Sequence, residues 1–290
     1  MVIENNPRKP IFNKKKAYLF GSPVAHSISP KMHNLSFDEI KFNATYKAID
    51  IDKIHIDAVD EYIRREDFLG ANITMPLKTD IISHIDRLDI SSELSGSVNT
   101  IVPENGSLVG YTTDGAGFID SLGEIDENIT DKKILILGAG GAAKSIIVSL
   151  ALEGAHRITI AKRHNKTIDS VIEFSKKVSE KTPCDVNVID IGDSTILREA
   201  VTENDILINA TPVGMTEDST LIDKSLLRPG LTVCDLIYEP AMTKLLLDAK
   251  ECGCKYINGK YMLLYQGARS FKLWTGQNMP VSKVKNTIFS

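Results

Sequence analysis

The chain has 290 residues, with 34 Lys and Arg against 38 Asp and Glu, for a formal net charge of −4. That length gives room for two domains, and 42% hydrophobic with 25% charged residues excludes wholesale disorder. The mild acidity argues against a nucleic-acid-binding surface, which needs clustered Lys and Arg, and no run reaches the roughly 18 apolar residues of a membrane span. Residues 1–16 are polar and basic with no apolar stretch behind them, so no secretory signal is expected. The chain reads as a soluble, cytoplasmic protein with neither nucleic acid nor membrane as partner.

In chain order, strands are predicted at 17–20, 46–50, 70–74 and 98–102, with helical patterns at 30–40, 53–64 and 79–86 between them. Residues 122–131 (LGEIDENITD) are acidic, turn-rich and poor in large apolar groups, and form a seam. A second series follows, with strands at 133–137, 157–161, 186–190, 205–209 and 231–235 and helices at 144–153, 168–179, 194–201 and 242–250. Residues 261–274 read as a long helix, apolar or aromatic on most faces, wedged between the two series. The alternation predicts a two-domain α/β fold of βα units around parallel strands. The motifs these elements carry make its N-terminal α/β part the expected substrate domain and its second part the expected Rossmann dinucleotide-binding domain, with a cleft between them.

Cys184, Cys234, Cys252 and Cys254 have neither C-x-x-C nor zinc-ribbon spacing, and the six histidines do not cluster with carboxylates. Free thiols in a reducing compartment and no metal are expected.

Gly138-Ala139-Gly140-Gly141-Ala142-Ala143 matches G-x-G-x-x-A where a strand gives way to a helix. Gly138 permits the tight turn, Gly140 lets backbone approach a pyrophosphate, and Ala143 lets the helix settle on its strand. Ala139, Gly141 and Ala142 complete the expected cofactor contacts, with helix N-terminal amides facing the phosphates. Beyond the next strand come Lys162, Arg163 and Lys166, with no carboxylate before Asp169. Three cations favour the 2′-phosphate of NADP over the bare ribose of NAD; a solvated basic turn, with NAD met by neutral donors, stays open.

The first half carries the substrate signals. Ser27 and Ser29 precede Pro30 at a helix start, and their i, i+2 hydroxyls suit a small carboxylate. Asn72-Ile73-Thr74-Met75-Pro76-Leu77-Lys78, Gly96-Ser97-Val98-Asn99-Thr100 and Thr113-Asp114-Gly115 each place polar groups at element ends. Lys78 and Asp114 form the candidate acid/base pair for an alcohol–ketone interconversion.

These motifs, with HSISPKMHN, TDGAG, GAGGAAKS, NATPVGM, DLIYEP and YQGARSF in the same order, make the chain similar to the shikimate dehydrogenase family, including its quinate/shikimate branch, along nearly its whole length. The resemblance implies NADP-linked reduction of 3-dehydroshikimate to shikimate, in aromatic-amino-acid biosynthesis, by a monomer or homodimer. It implies that Ser27 and Ser29, helped by Tyr238, bind the substrate carboxylate. Thr74, Asn99, Asp114 and Gln266 would hold the ring hydroxyls, Lys78 would be the acid/base, and Asn72 would support them. Leu236, Ile237 and Gly259 would border the nicotinamide. Three positions depart from the family pattern: Thr112 replaces an Asn, Ala161-Lys162-Arg163 replaces Asn-Arg-Thr, and Tyr261 replaces a second glycine. The second departure weakens the NADP assignment, and the wording of 252–276 leans toward the quinate/shikimate branch, whose members can use NAD.

The expected division is a substrate domain at 1–117, completed by C-terminal helices at about 262–290, around a Rossmann domain at 118–261. Hydride transfer away from water implies a closing cleft, with Gly115, Gly117 and the start of the 261–274 helix as expected hinges. The rivals are a quinate-preferring NAD enzyme and a non-enzymatic NAD(P) sensor that would have no need of Lys78 and Asp114.

Overall fold

A computed structural model describes residues 14–289; the N-terminal stretch considered above for a leader lies outside them up to residue 13. The first half runs β1 (Lys15–Gly21), α1 (Ser29–Glu39), β2 (Ala44–Asp50), α2 (Asp60–Ile63), β3 (Phe68–Ile73), β4 (Arg87–Leu88), α3 (Ile90–Ser95), β5 (Thr100–Glu104), β6 (Ser107–Tyr111) and α4 (Asp114–Leu122). The second runs β7 (Lys133–Leu137), α5 (Gly141–Leu152), β8 (Arg157–Lys162), α6 (Ile168–Lys181), β9 (Asp185–Asp190), α7 (Ser194–Glu203), β10 (Ile206–Asn209), β11 (Thr232–Asp235), α8 (Lys244–Glu251) and β12 (Lys255–Asn258). Helices α9 (Lys260–Thr275) and α10 (Val281–Ile288) end the chain.

The second sheet is wholly parallel, in the order β12-β11-β10-β7-β8-β9, the doubly wound arrangement with its switch point between β7 and β10. Both faces are covered, which is why its strands are continuous apolar runs rather than alternating ones. Ile134 and Ile136 point to the α5/α6 side, Leu135 and Leu137 to the α7/α8 side. The first sheet is mixed, in the order β2-β1-β3-β5-β6-β4, with β5 antiparallel to both neighbours. The two-domain α/β class is the one expected.

Several elements were not anticipated. The β5–β6 hairpin turns on Asn105-Gly106, both at positive φ, a signal legible in the residues themselves. Residues 53–64 form a 3-10 segment and one short α-turn instead of a continuous helix, broken at His55, and 80–84 is also 3-10. Helix α4 went unseen because two glycines lower its propensity. The expected break at 117/118 falls within it, and the chain leaves the helix only at Leu122.

Those glycines, the expected hinges, lie at helix contacts. A Cβ on Gly115 would lie 2.3 Å from Ser145 O on α5, and one on Gly117 would lie 2.3 Å from Gln266 N on α9. Each therefore allows a close helix crossing. Helix α9 joins the first sheet through Leu264, Phe271 and Trp274, and Trp274 Nε1 donates to Ile101 O at 3.0 Å. Arg269 grips Asp120 of α4 with two bonds of 2.6 and 2.7 Å, and Glu124 accepts from Tyr265 at 2.8 Å and pairs with Lys285. On the far side, Leu94 of α3 enters the core shared by α4, α5 and α6. Among the described residues no helix is long and apolar enough to cross a membrane.

The Gly117 contact can be tested. Ala gains about 1 kcal/mol of helix propensity, but a methyl group against backbone costs about 1–3 kcal/mol of overpacking, and the second effect should win. Gly117→Ala should lower the melting temperature by roughly 2–6 °C in a calorimetric scan. An unchanged or raised value would mean that α4 and α9 separate freely.

Candidate active site

Two cavities lie at the carboxyl ends of the strands. The smaller, of about 440 Å³, is lined from both halves of the chain, by Ser27, Ser29, Asn72, Thr74, Lys78, Asn99 and Asp114 and by Leu236, Tyr238, Gly259 and Gln266. The larger, of about 790 Å³, sits over the β7–α5 turn and the ends of β8 and β10.

Lys78 is placed by the turn that leaves β3. Leu77 is fully buried, Leu77 N donates to Thr74 O at 3.0 Å, and Lys78 O accepts from Val98 N at 2.8 Å. This anchored backbone sends Lys78 Nζ to Asp114 Oδ2 at 2.6 Å. Asp114 is 8% exposed and opens α4, where the helix dipole favours a carboxylate. Its Oδ1 accepts from Asn99 Nδ2 at 2.7 Å. Asn99 is itself fixed, its Oδ1 accepting from Thr113 N at 2.8 Å and from Thr100 Oγ1 at 2.9 Å.

Behind this group runs a buried polar cluster. Tyr46 OH donates to Asn72 Oδ1 at 2.9 Å, Asn72 Nδ2 donates to Ser270 Oγ at 2.9 Å, and Ser270 Oγ lies 2.8 Å from Thr100 Oγ1. Asn72 thus reaches Asn99 and Thr100 from below, and α9 delivers Ser270 and Gln266 to the same place. His33 of α1 stacks on Tyr46 with centroids 4.4 Å apart; complete burial lowers its pKa to about 3, so it stays neutral.

At the outer wall, Ser29 N donates to Ser27 Oγ at 3.2 Å, and α1 begins with no side-chain cap. Ser29 N and Met32 N are already paired and Pro30 has no N–H, so the Ser27 and Ser29 hydroxyls, rather than a row of free amides, are what this wall offers an anion. Tyr238 is 55% exposed on the opposite wall. Gly259 is required there, since a Cβ would lie 2.1 Å from Leu236 O. The arrangement suits a small acid whose hydroxyls meet Asn99, Asp114 and Lys78.

The larger cavity meets the demands of a dinucleotide phosphate site. Gly138 has φ +98°, and a Cβ there would lie 3.0 Å from Ala210 O. Gly140 has open space where a Cβ would stand, and α5 starts on it with no side-chain cap. Gly138, Ala139, Gly140, Lys162 and Arg163 line the space. Gly141 and Ala142 are exposed in the first turn of α5 and do not line it, and neither does the exposed Lys166. Ile237 is buried and lines neither cavity, whereas Leu236 and Gly259 line the smaller one. Sequence reading missed Lys144, Asn165, Thr167 and Thr211 in the larger cavity. Lys144 stands one helical turn past Gly140, a spacing that could have found it. Asn165 Oδ1 accepts from Lys162 Nζ, Thr167 N and Thr167 Oγ1, at 3.1, 3.1 and 2.9 Å, and shapes the basic turn.

Three family models match the chain: "Shikimate dehydrogenase substrate binding domain" over residues 19–101, "Shikimate / quinate 5-dehydrogenase" over 121–226 and "Shikimate 5'-dehydrogenase C-terminal domain" over 261–289. The shikimate dehydrogenase (NADP(+)) of Lactococcus lactis is 42% identical over 271 residues, covering 93% of this chain and 95% of the relative. A quinate/shikimate dehydrogenase of Escherichia coli is 40% identical over 273 residues, with 93% and 95% covered. The crystal structure of shikimate 5-dehydrogenase from Listeria monocytogenes, in complex with shikimate and NAD, superposes with a TM-score of 0.91 at 38% identity, over 95% of this chain and 96% of that one.

Proposed function

Because this chain belongs to the shikimate dehydrogenase family, we propose that it catalyses the reversible, NADP-linked reduction of 3-dehydroshikimate to shikimate, as a cytoplasmic step toward aromatic amino acids. The observation that carries this reading is the Lys78–Asp114 pair, at 2.6 Å, in a cavity that also presents Ser27 and Ser29. The four free thiols suit a reducing compartment. Residues up to 117, completed by 262–290, form the substrate unit in this reading, and 118–261 form the cofactor unit. The protein works as a monomer or homodimer.

In this reading the hydroxyls of Ser27 and Ser29 bind the carboxylate, with Tyr238 closing over it from the opposite wall. Thr74, Asn99, Asp114 and Gln266 hold the ring hydroxyls. Their fixed hydrogen bonds orient the acid before chemistry begins, which lowers the entropic part of the barrier. Lys78 Nζ gives a proton to the carbonyl oxygen during reduction and takes it from the hydroxyl in the reverse direction. Asp114 keeps Lys78 Nζ at that oxygen. NADPH supplies the hydride when bound. Gly138, Ala139 and Gly140 would take its pyrophosphate and Lys162 and Arg163, with Lys144 nearby, its 2′-phosphate. Leu236 and Gly259 would border the nicotinamide, with the buried Ile237 behind them, its backbone O accepting from Gly259 N at 3.3 Å.

A second reading, quinate oxidation with NAD, is favoured by one observation: Ala161 leaves the end of β8 without the Asn expected of NADP-specific members. The two readings separate in one experiment, initial rates with shikimate or quinate against NADP or NAD. The highest kcat/KM should fall to shikimate with NADP, and a maximum at quinate with NAD would transfer the assignment.

Two substitutions follow. Lys78→Ala should lower kcat by about 10²–10⁴-fold while KM for shikimate stays within about threefold, the pattern of a proton transfer lost from the transition state. Unchanged turnover would remove Lys78 from the reaction. Lys162→Ala combined with Arg163→Ala should raise KM for NADP by about tenfold or more, as expected for lost charge-assisted hydrogen bonds, with KM for NAD little changed. Equal effects on both cofactors would place the 2′-phosphate elsewhere.

A further inference from the structure

Two segments, 209–213 and 235–240, meet at one buried carboxylate that the catalytic reading leaves unused. Asp235 closes β11 and is 1% exposed. Its Oδ1 accepts from Asn209 Nδ2 at 3.0 Å and from Ile237 N at 3.1 Å, and its Oδ2 accepts from Thr243 Oγ1 at 2.6 Å. Asn209 carries its own loop in turn. Its Oδ1 accepts from Thr211 N at 3.1 Å and from Thr211 Oγ1 at 2.7 Å, while its Nδ2 also donates to Val213 O at 3.2 Å. Thr211 and Val213 line the larger cavity, and Leu236 and Tyr238 line the smaller. One carboxylate therefore ties a wall of the cofactor-side cavity to a wall of the substrate-side cavity.

That tie is stiff for a physical reason. Burial raises the pKa of Asp235, against the pull of its three donors, so the group is tolerated only while all three bonds are kept. Neither loop can shift alone without stranding a buried acceptor. The 236–238 segment is also held from the other side, where Leu236 O sits against the bare backbone of Gly259.

We propose that Asp235 is a positioning residue for hydride transfer, holding the 236–238 wall in register with the 210–213 loop so that the bound acid and cofactor face each other. The proposal rests on the dehydrogenase reading above. Asp235 touches neither cavity; it acts through Asn209 and through the backbone at Ile237. What matters is the hydrogen-bond pattern rather than the charge. An amide can preserve it, with the carbonyl kept toward Asn209 and Ile237 and the amide nitrogen donating to Thr243 Oγ1.

The test compares Asp235→Ala, Asp235→Asn and Thr243→Val in the full chain. Turnover is divided by the number of cofactor-binding sites counted calorimetrically, and backbone hydrogen exchange is followed in the ligand-free protein. For Asp235→Ala, kcat per binding-competent site should fall by about 10²-fold, the scale of a misplacement of about 1 Å, with KM and cofactor Kd changed by only about threefold. Exchange should accelerate in peptides covering 210–213 and 236–238 together. Asp235→Asn should restore kcat to within about threefold of the parent, and Thr243→Val should fall between. A merely structural carboxylate would lower the number of competent sites and leave the rate per site unchanged, which would overturn the proposal. So would an Asn variant as impaired as the Ala variant, or a Thr243→Val protein with parental kcat should the Ala variant not fold. If the parent protein oxidises neither shikimate nor quinate, the dehydrogenase reading fails, while the exchange arm still decides whether Asp235 couples the two walls.

Discussion

Helix α4 is the member on which the arrangement depends, because it must touch α5 on one side and α9 on the other at distances that only glycine allows. Gly115 meets the backbone of Ser145 and Gly117 meets that of Gln266. The same helix begins with Asp114, so the crossing that joins the two halves also sets the carboxylate facing Lys78. Thr112, just before it, donates to Ser145 Oγ at 3.1 Å, which ties the strand leading into the site to the helix over the glycine-rich turn. A shift of α4 would therefore be felt at the acid/base pair and at the cofactor helix alike. These glycines, expected as hinges, are the points at which α4 comes closest to α5 and α9.

Around that member, polar groups are buried as a connected set rather than singly. Tyr46, Asn72, Asn99, Thr100, Thr113 and Ser270 come from both early strands and the C-terminal helix, and each meets another within hydrogen-bond distance. Such a cluster is favourable only when complete, since one missing partner leaves a desolvated donor or acceptor at a cost of about 1–3 kcal/mol. This explains how a cleft lined by hydroxyls, amides and a carboxylate keeps its shape before any ligand arrives. His33 shows the opposite solution, a ring kept neutral by burial and held by aromatic contact with Tyr46 and Trp274.

Much of this was legible in the residues. The glycine-rich turn, the two serines before Pro30, and Lys78, Asn99 and Asp114 at element ends all stand where a strand or helix terminus presents them to a cleft. The apolar runs of the second sheet announced parallel strands buried on both faces. Less visible were the elements whose propensity is weak: α4 with its glycines, the two-residue β4, and the short α3 that carries Leu94 into the neighbouring core. Asn165 and Thr211 were missed because position along the chain does not say which polar groups share a cavity, whereas Lys144 stood at a spacing from Gly140 that could have found it. Lys166 was included for its charge, yet lies outside the lining.

The sequence by itself determined the kinds of chemistry available and their order along the chain, because turn geometry, helix starts and strand burial are local matters of backbone and periodicity. It paired Lys78 with Asp114 by their chemistry alone, without the geometry that brings them to 2.6 Å across 36 positions, and it could not say that Gln266 would lie against Asn99 across 167 positions. Those encounters were decided by tertiary structure, where the two close crossings of α4, with α5 and with α9, and a connected cluster of buried polar groups bring the halves together. The coupling of the two cavity walls through Asp235 belongs to the same category. Nothing local to β11 distinguishes its terminal carboxylate until Asn209 and Thr243 are brought to it.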